Sequence, residues 1–280
     1  MDAQNIINSL NTVSQKLFKS LDDEIFEKMD DLVNVNSDLF NKSPLKDVFF
    51  QDKTNALIII ANSLILFYVI YFVFLKLISI YNGNKSQSIY MFVIKLIIVT
   101  VMVNFSYYIC REIVNMIGLL TDCVDGGLYD LLGKKVSFVS LKENIVKIDD
   151  IINSDLLSLN GIIKGIISFG SISILINFAI RYVTIIFLFI ISPFAFICLS
   201  NELTIGIFRT WFKTLFVSLM IQIIVKFIIF IPLLYKDINS MTYKIILVGS
   251  IYIIYKINGF TKEIFIKISS NNQINNIFNS

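Results

Sequence analysis

Four long apolar blocks dominate this chain, at residues 56–80, 90–109, 162–199 and 211–231, and each is too long for an ordinary buried strand. An α-helix rises 1.5 Å per residue, so about 20 apolar residues cross a bilayer hydrocarbon core of about 30 Å. Within lipid every backbone N–H and C=O must find a partner inside the protein, which leaves helices or a closed barrel. Continuous apolar runs, with no alternation of inside and outside residues, select helices. The chain is therefore expected to be all-α, a polytopic helical membrane protein. Composition agrees: of 280 residues, 56% are hydrophobic and 16% are charged, and the mean hydropathy is +0.75. Soluble chains carry about 25% charged residues.

Several function classes are disfavoured on the same page. Histidine is absent and the three cysteines are scattered, which removes the commonest general base and metal ligands. No phosphate-binding glycine motif is present. No catalytic, cofactor-binding or metal-ligating residues are expected, and the chain is not expected to be an enzyme. A net charge of +3 is too small to argue for a nucleic-acid-binding surface. Compositional bias toward Ile, Asn and Lys suggests a bacterial source.

The expected organisation has five parts. Residues 1–55 form a polar, amphipathic N-terminal segment, with Ile6, Leu10, Val13, Leu17, Leu21, Ile25, Met29 and Leu32 at helical spacing. It lacks the apolar core of a signal peptide and is expected to stay on the mature protein. Residues 56–109 hold two spans. Residues 110–161, which include Gly126-Gly127, read as an external loop with some helix, in which Cys110 and Cys123 are free to pair or not. Residues 162–258 hold one long helix and the third to fifth spans. Pro193 is expected to kink that helix or loosen its last turns, and its membrane part is placed at 182–199. The fifth span, between Lys244 and Lys256, is the shortest. Residues 259–280 form a tail. Basic flanks beside the short loops place the N-terminus outside and the C-terminus inside the cytoplasmic membrane of a bacterium. The paired acids Asp22-Asp23, Asp30-Asp31 and Asp149-Asp150 read as solvated faces.

The chemistry-bearing residues are the polar groups inside apolar blocks. On a helical projection Gly170, Ser173, Asn177, Arg181, Thr184 and Ser192 fall in one arc. Trp211, Thr214, Ser218, Gln222 and Lys226 form a second stripe on the next span. Two such stripes are expected to face each other, another subunit or a wet cavity rather than lipid. For Arg181 and Lys226 the competing reading is snorkelling to a lipid headgroup. Gln222 and Ser218 have the competing reading of simple interhelical hydrogen bonds, and Gly161 and Gly165 form a GxxxG.

The order Arg181-Tyr182, an apolar run, Ser192-Pro193-Phe194-Ala195-Phe196, a short polar loop, then Trp211-Phe212-Lys213 opening a span with Gln222 resembles the TrbL-type polytopic subunits of type IV secretion and conjugation machines. Phe194 stands where that family usually has leucine. The likeness covers residues 177–230 in residue types, and the remainder in layout only. It implies a channel or scaffold subunit of a secretion or conjugative DNA-transfer apparatus. The implied partners are membrane lipids, other machine subunits, further copies of the same chain, and translocated DNA or protein. The alternatives are a permease, as a secondary transporter or the membrane subunit of an ABC exporter, and a lytic or immunity membrane protein of a mobile element. No inverted repeat supports a carrier.

Overall fold

The computed structural model describes residues 9, 12–13, 23–36, 56–82, 88–146, 159–201, 203–257 and 259. The expected periodicity over residues 4–22 lies largely outside them, as does the tail after 259. The described residues are helical, with no strand among them. In chain order the helices are α1 (Asp23–Val33), α2 (Ala56–Tyr81), α3 (Ile89–Asn104), α4 (Ser106–Leu132), α5 (Phe138–Val146), α6 (Leu159–Ile190), α7 (Ser192–Ile197), a 3-10 turn at Cys198–Ser200, α8 (Ile205–Leu233) and α9, residues 241–257.

Three of these are long and apolar enough to cross a membrane: α2, Asn160–Ile190 of α6, and α8. The pair α3–α4, bent by 67° at Phe105, makes a fourth if it counts as one broken span. The chain thus has the make-up of a multi-pass membrane protein. In α2 only 11% of the most apolar stretch is buried within the protein, against 56% in α8. Exposed Phe67, Phe74 and Leu77 of α2 therefore need a lipid or protein environment.

The chain divides into two compact units. The first comprises residues 1–35, 117–183 and 217–280. Its core joins Phe26, Met29 and Val33 of α1 with Phe138, Leu141 and Ile145 of α5, Ile167, Ile174 and Phe178 of α6, Val225 of α8, and Tyr243, Leu247 and Ile254 of α9. Helix α1 packs along α5 through the apolar face that its 3–4 spacing creates. Asp30 reaches across to the start of α5, where Phe138 N donates to Oδ1 at 3.0 Å and Val139 N to Oδ2 at 3.3 Å. These are first-turn N–H groups that the helix itself cannot satisfy. The reading of Asp30-Asp31 as a solvated pair holds for Asp31, which is exposed and faces Lys28 at 3.4 Å, and fails for Asp30. Gly170 of α6 comes so close to α9 that a Cβ there would lie 2.5 Å from Ile251 Cγ2, whereas Gly165 has open space. The tight glycine is therefore Gly170 and not the GxxxG member Gly165.

The second unit comprises residues 36–116 and 184–216. Helices α2 and α3 pair through stacked Phe72 and Phe92, with ring centroids 3.5 Å apart. Helix α7 packs on both. Pro193 explains the break before it. A proline has no N–H to donate to residue 189, and its ring crowds that carbonyl, so α6 stops at Ile190 and α7 starts afresh. The expected continuous helix to residue 199 is interrupted at Ile191.

The expected loop at 110–161 also differs. Most of its first half is α4, and Gly126-Gly127 lies inside that helix. Cys110, Val114, Ile117, Thr121 and Leu128 recur at helical spacing and are buried, which outweighs the two glycines' cost of about 1 kcal/mol each. Cys110 is buried, Cys123 is exposed, and all three cysteines are free. Thirteen positions apart on one helix, Cys110 and Cys123 are about 20 Å from each other, too far for a disulfide.

Candidate functional site

The first unit holds a buried polar cluster built from α1, α4, α6 and α8. Three side chains of the expected stripes enter it, and none of the three reaches the surface. Arg181 of α6 is buried. Its Nε donates to Ser218 O of α8 at 2.6 Å, and its Nη1 donates to Val33 O at 3.1 Å. Val33 is the last residue of α1, where carbonyls have no helical N–H and the helix dipole is negative. A guanidinium with donors in a rigid fork suits this double duty.

Gln222, one turn further along α8 than Ser218, grips the same chain segment from the other side. Its Oε1 accepts from Val35 N at 3.1 Å. Its Nε2 donates to Thr121 Oγ1 at 2.8 Å and lies 3.4 Å from Ile117 O. Arg181 and Gln222 thus clasp the backbone on either side of Asn34, a residue that has just left α1. Another turn along, Lys226 is 1% exposed. Its Nζ donates to Asp125 Oδ2 at 3.0 Å and to Val136 O at 3.2 Å. The carboxyl of Asp30 lies within its electrostatic reach. Desolvation raises the Asp30 pKa above its usual 3.8, against the opposing pull of the two α5 amides and of Lys226 and Lys135.

The remaining candidates divide. Asn177 Nδ2 donates to Tyr255 O of α9 at 3.1 Å. Ser173 Oγ bonds back to Phe169 O of its own helix at 2.8 Å, and Thr184 is half-buried. Lys244, at the head of α9, donates to Asn160 Oδ1 at 3.1 Å, so it does not stand alone at an interface. In the second unit Trp211 is buried, with Nε1 donating to Leu188 O at 2.9 Å and its ring edge-on to Phe196. Ser192 and Pro193 are buried at the α6–α7 break.

The single arc expected for Ser173, Asn177, Arg181, Thr184 and Ser192 therefore serves several different partners. Asp125, Thr121 and Asp30 were not among the sequence candidates. Thr121 and Asp125 are i, i+4 on a helical face, a signal obscured by the glycine pair that follows. Among the described residues no group of three or more Cys, Asp or Glu gathers as a metal site. What the arrangement can do chemically is hold helices and one loop in fixed register, through buried, charge-assisted hydrogen bonds.

Comparisons with protein families, with curated proteins and with solved structures find no match to this chain.

Proposed function

We propose that the chain is a scaffold subunit of the membrane channel of a type IV secretion or conjugative DNA-transfer apparatus. One observation carries the reading. Arg181, Trp211 and Gln222, on which the resemblance to TrbL-type subunits rests, are all buried, and each donates to a main-chain carbonyl of another segment. Residues used in that way set the packing of a membrane subunit, and their placement favours bracing the channel over lining it.

In this proposal α2, the α3–α4 pair, α6, α8 and α9 make five spans, with the N-terminus outside and the C-terminus inside. The described part of α9 has 17 residues, about 26 Å, the shortest stretch among them. The exposed apolar faces of α2 and α3 meet lipid, neighbouring subunits or further copies of the chain. The protein itself catalyses no reaction.

The test is a clean deletion in the source bacterium, complemented from a plasmid, with plasmid transfer and protein secretion measured together. The proposal expects both transfer readouts tied to this locus to fall on deletion and to return on complementation. Unchanged transfer and secretion would refute it. Single cysteines in place of Asn36, Ser140 and Asn272, with the native cysteines replaced, report topology. Labelling of intact cells at the first two positions only is expected, and labelling at the last would refute the inside C-terminus.

A further inference from the structure

Helices α2 and α3 are antiparallel neighbours, since Phe72 meets Phe92 while Asn62 meets Asn104. The second of these contacts lies ten residues back along α2 from the first, about 15 Å away, and it is polar. Asn62 Nδ2 donates to Asn104 Oδ1 at 3.2 Å, and Asn104 Nδ2 donates to Asn62 Oδ1 at 3.3 Å. Asn104 Nδ2 also donates to Thr100 O of its own helix at 2.8 Å. This reciprocal amide pair stands at the surface of the second unit: Asn62 is half-buried and Asn104 is exposed.

Its surroundings are apolar. Within two turns of the pair stand Ile59 and Leu66 on α2, and Ile97 and Val101 on α3, with exposures of 49, 62, 58 and 52%. Each helix therefore presents an asparagine within an aliphatic stripe spaced by three, four or seven residues. No bulk medium suits such a patch. Hydrocarbon accepts the aliphatic side chains but leaves amide atoms without partners. Water satisfies the amides but leaves the aliphatic side chains uncovered. A protein surface that is aliphatic, with amides at its centre, suits both.

The count of hydrogen-bonding groups selects that surface. A carboxamide has two N–H donors and an oxygen with two lone pairs. Both N–H groups of Asn104 are used, by Asn62 and by Thr100 O. Among the described residues Asn62 keeps one N–H, and the oxygen of each amide keeps one lone pair. The patch thus retains a donor and acceptors together. A two-fold axis through it brings the donor of each copy to an acceptor of the other, which is the self-complementarity of an isologous interface. We infer that a second copy of this chain packs on the exposed α2–α3 face, with the Asn62 and Asn104 amides of both copies joined in one hydrogen-bonded cluster and the four aliphatic side chains as its surround. Asparagines hold apolar helices together by hydrogen bonds of this kind. The inference uses the multi-pass character of the chain and none of the secretion reading.

The test uses the full-length protein with one fluorophore at its C-terminus, reconstituted in phosphatidylcholine liposomes. Copies per spot are counted by stepwise photobleaching as the protein is diluted in lipid. The parent should bleach in two steps at high density and in one step at high dilution. The Asn62→Leu, Asn104→Leu double variant replaces both hydrogen-bonding partners by apolar groups, which keeps the fold. It should need about tenfold higher density than the parent to pair. Ile97→Trp leaves the amide pair in place, crowds the aliphatic surround, and should weaken pairing as well. Single steps from the parent at every density would overturn the inference and leave the face to lipid or to a different protein. Parental pairing by either variant would also overturn it, by placing self-association on another face.

Discussion

The ion pair between Lys226 and Asp125 makes an asymmetric prediction, because its two halves are buried to different depths. The Lys226 side chain is 2% exposed and that of Asp125 is 21% exposed. At 3.0 Å and an effective dielectric of about 20, their gross attraction is about 5 kcal/mol. Desolvation offsets much of this. Asp125→Asn takes away the charge that offsets a fully buried ammonium, leaving it only neutral acceptors, the new amide oxygen and Val136 O, and should cost about 2–4 kcal/mol. Lys226→Met leaves a carboxylate that water can reach, and should cost only about 1–2 kcal/mol. The double variant should cost less than the sum, with a coupling of about 1–3 kcal/mol. Reversible unfolding of the purified protein in mixed micelles, by titration with a denaturing detergent, gives all four corners of the cycle. A coupling near zero, or a smaller cost for Asp125→Asn than for Lys226→Met, would refute the reasoning and favour a Lys226 that snorkels to the headgroups.

Further outcomes follow from neighbouring contacts. Gln222→Leu removes the side-chain acceptor for Val35 N, which keeps only Val33 O, and the donor to Thr121, and should cost about 1–3 kcal/mol in the same unfolding assay; a neutral result would contradict the clasp. Gly170→Ala puts a methyl 2.5 Å from Ile251 Cγ2 and should destabilise by about 1–3 kcal/mol, with Ile251→Ala in the same chain recovering part of the loss. Asp30 has a raised pKa in the fold, so its contribution to docking α1 on α5 is fully present below the unfolded value of 3.8 and is lost as pH rises through the folded value. The melting temperature of the parent relative to Asp30→Asn should therefore rise as pH falls from 7 toward 4, and a fall would contradict the desolvation argument.

The apolar blocks were legible because hydropathy over 20 residues is a property of the chain alone. Helices α2, α3, α6 and α8 stand where those blocks stand. Pro193 was equally readable, since the missing N–H acts locally whatever surrounds it. The polar residues were recognisable as unusual, but their partners were not. Arg181, Trp211 and Lys226 all donate to main-chain carbonyls, which carry no sequence signal. Asp125 and Thr121 were hidden for a different reason. Gly126-Gly127 is a strong local turn signal, and only burial of the other α4 face makes that stretch a helix. Asp30 looked solvated because acids surround it, and its role as a cap depends on α5 arriving from more than a hundred residues away.

Arg181→Leu, carried in the source organism at matched membrane abundance, tests the central claim most directly, because it removes the clasp on Val33 and Ser218 without adding a charge to the membrane. The account predicts a protein that still fractionates with the membrane while plasmid transfer and secretion fall toward the level of the deletion strain. Transfer at the parental frequency, with the variant present at parental abundance, would contradict it.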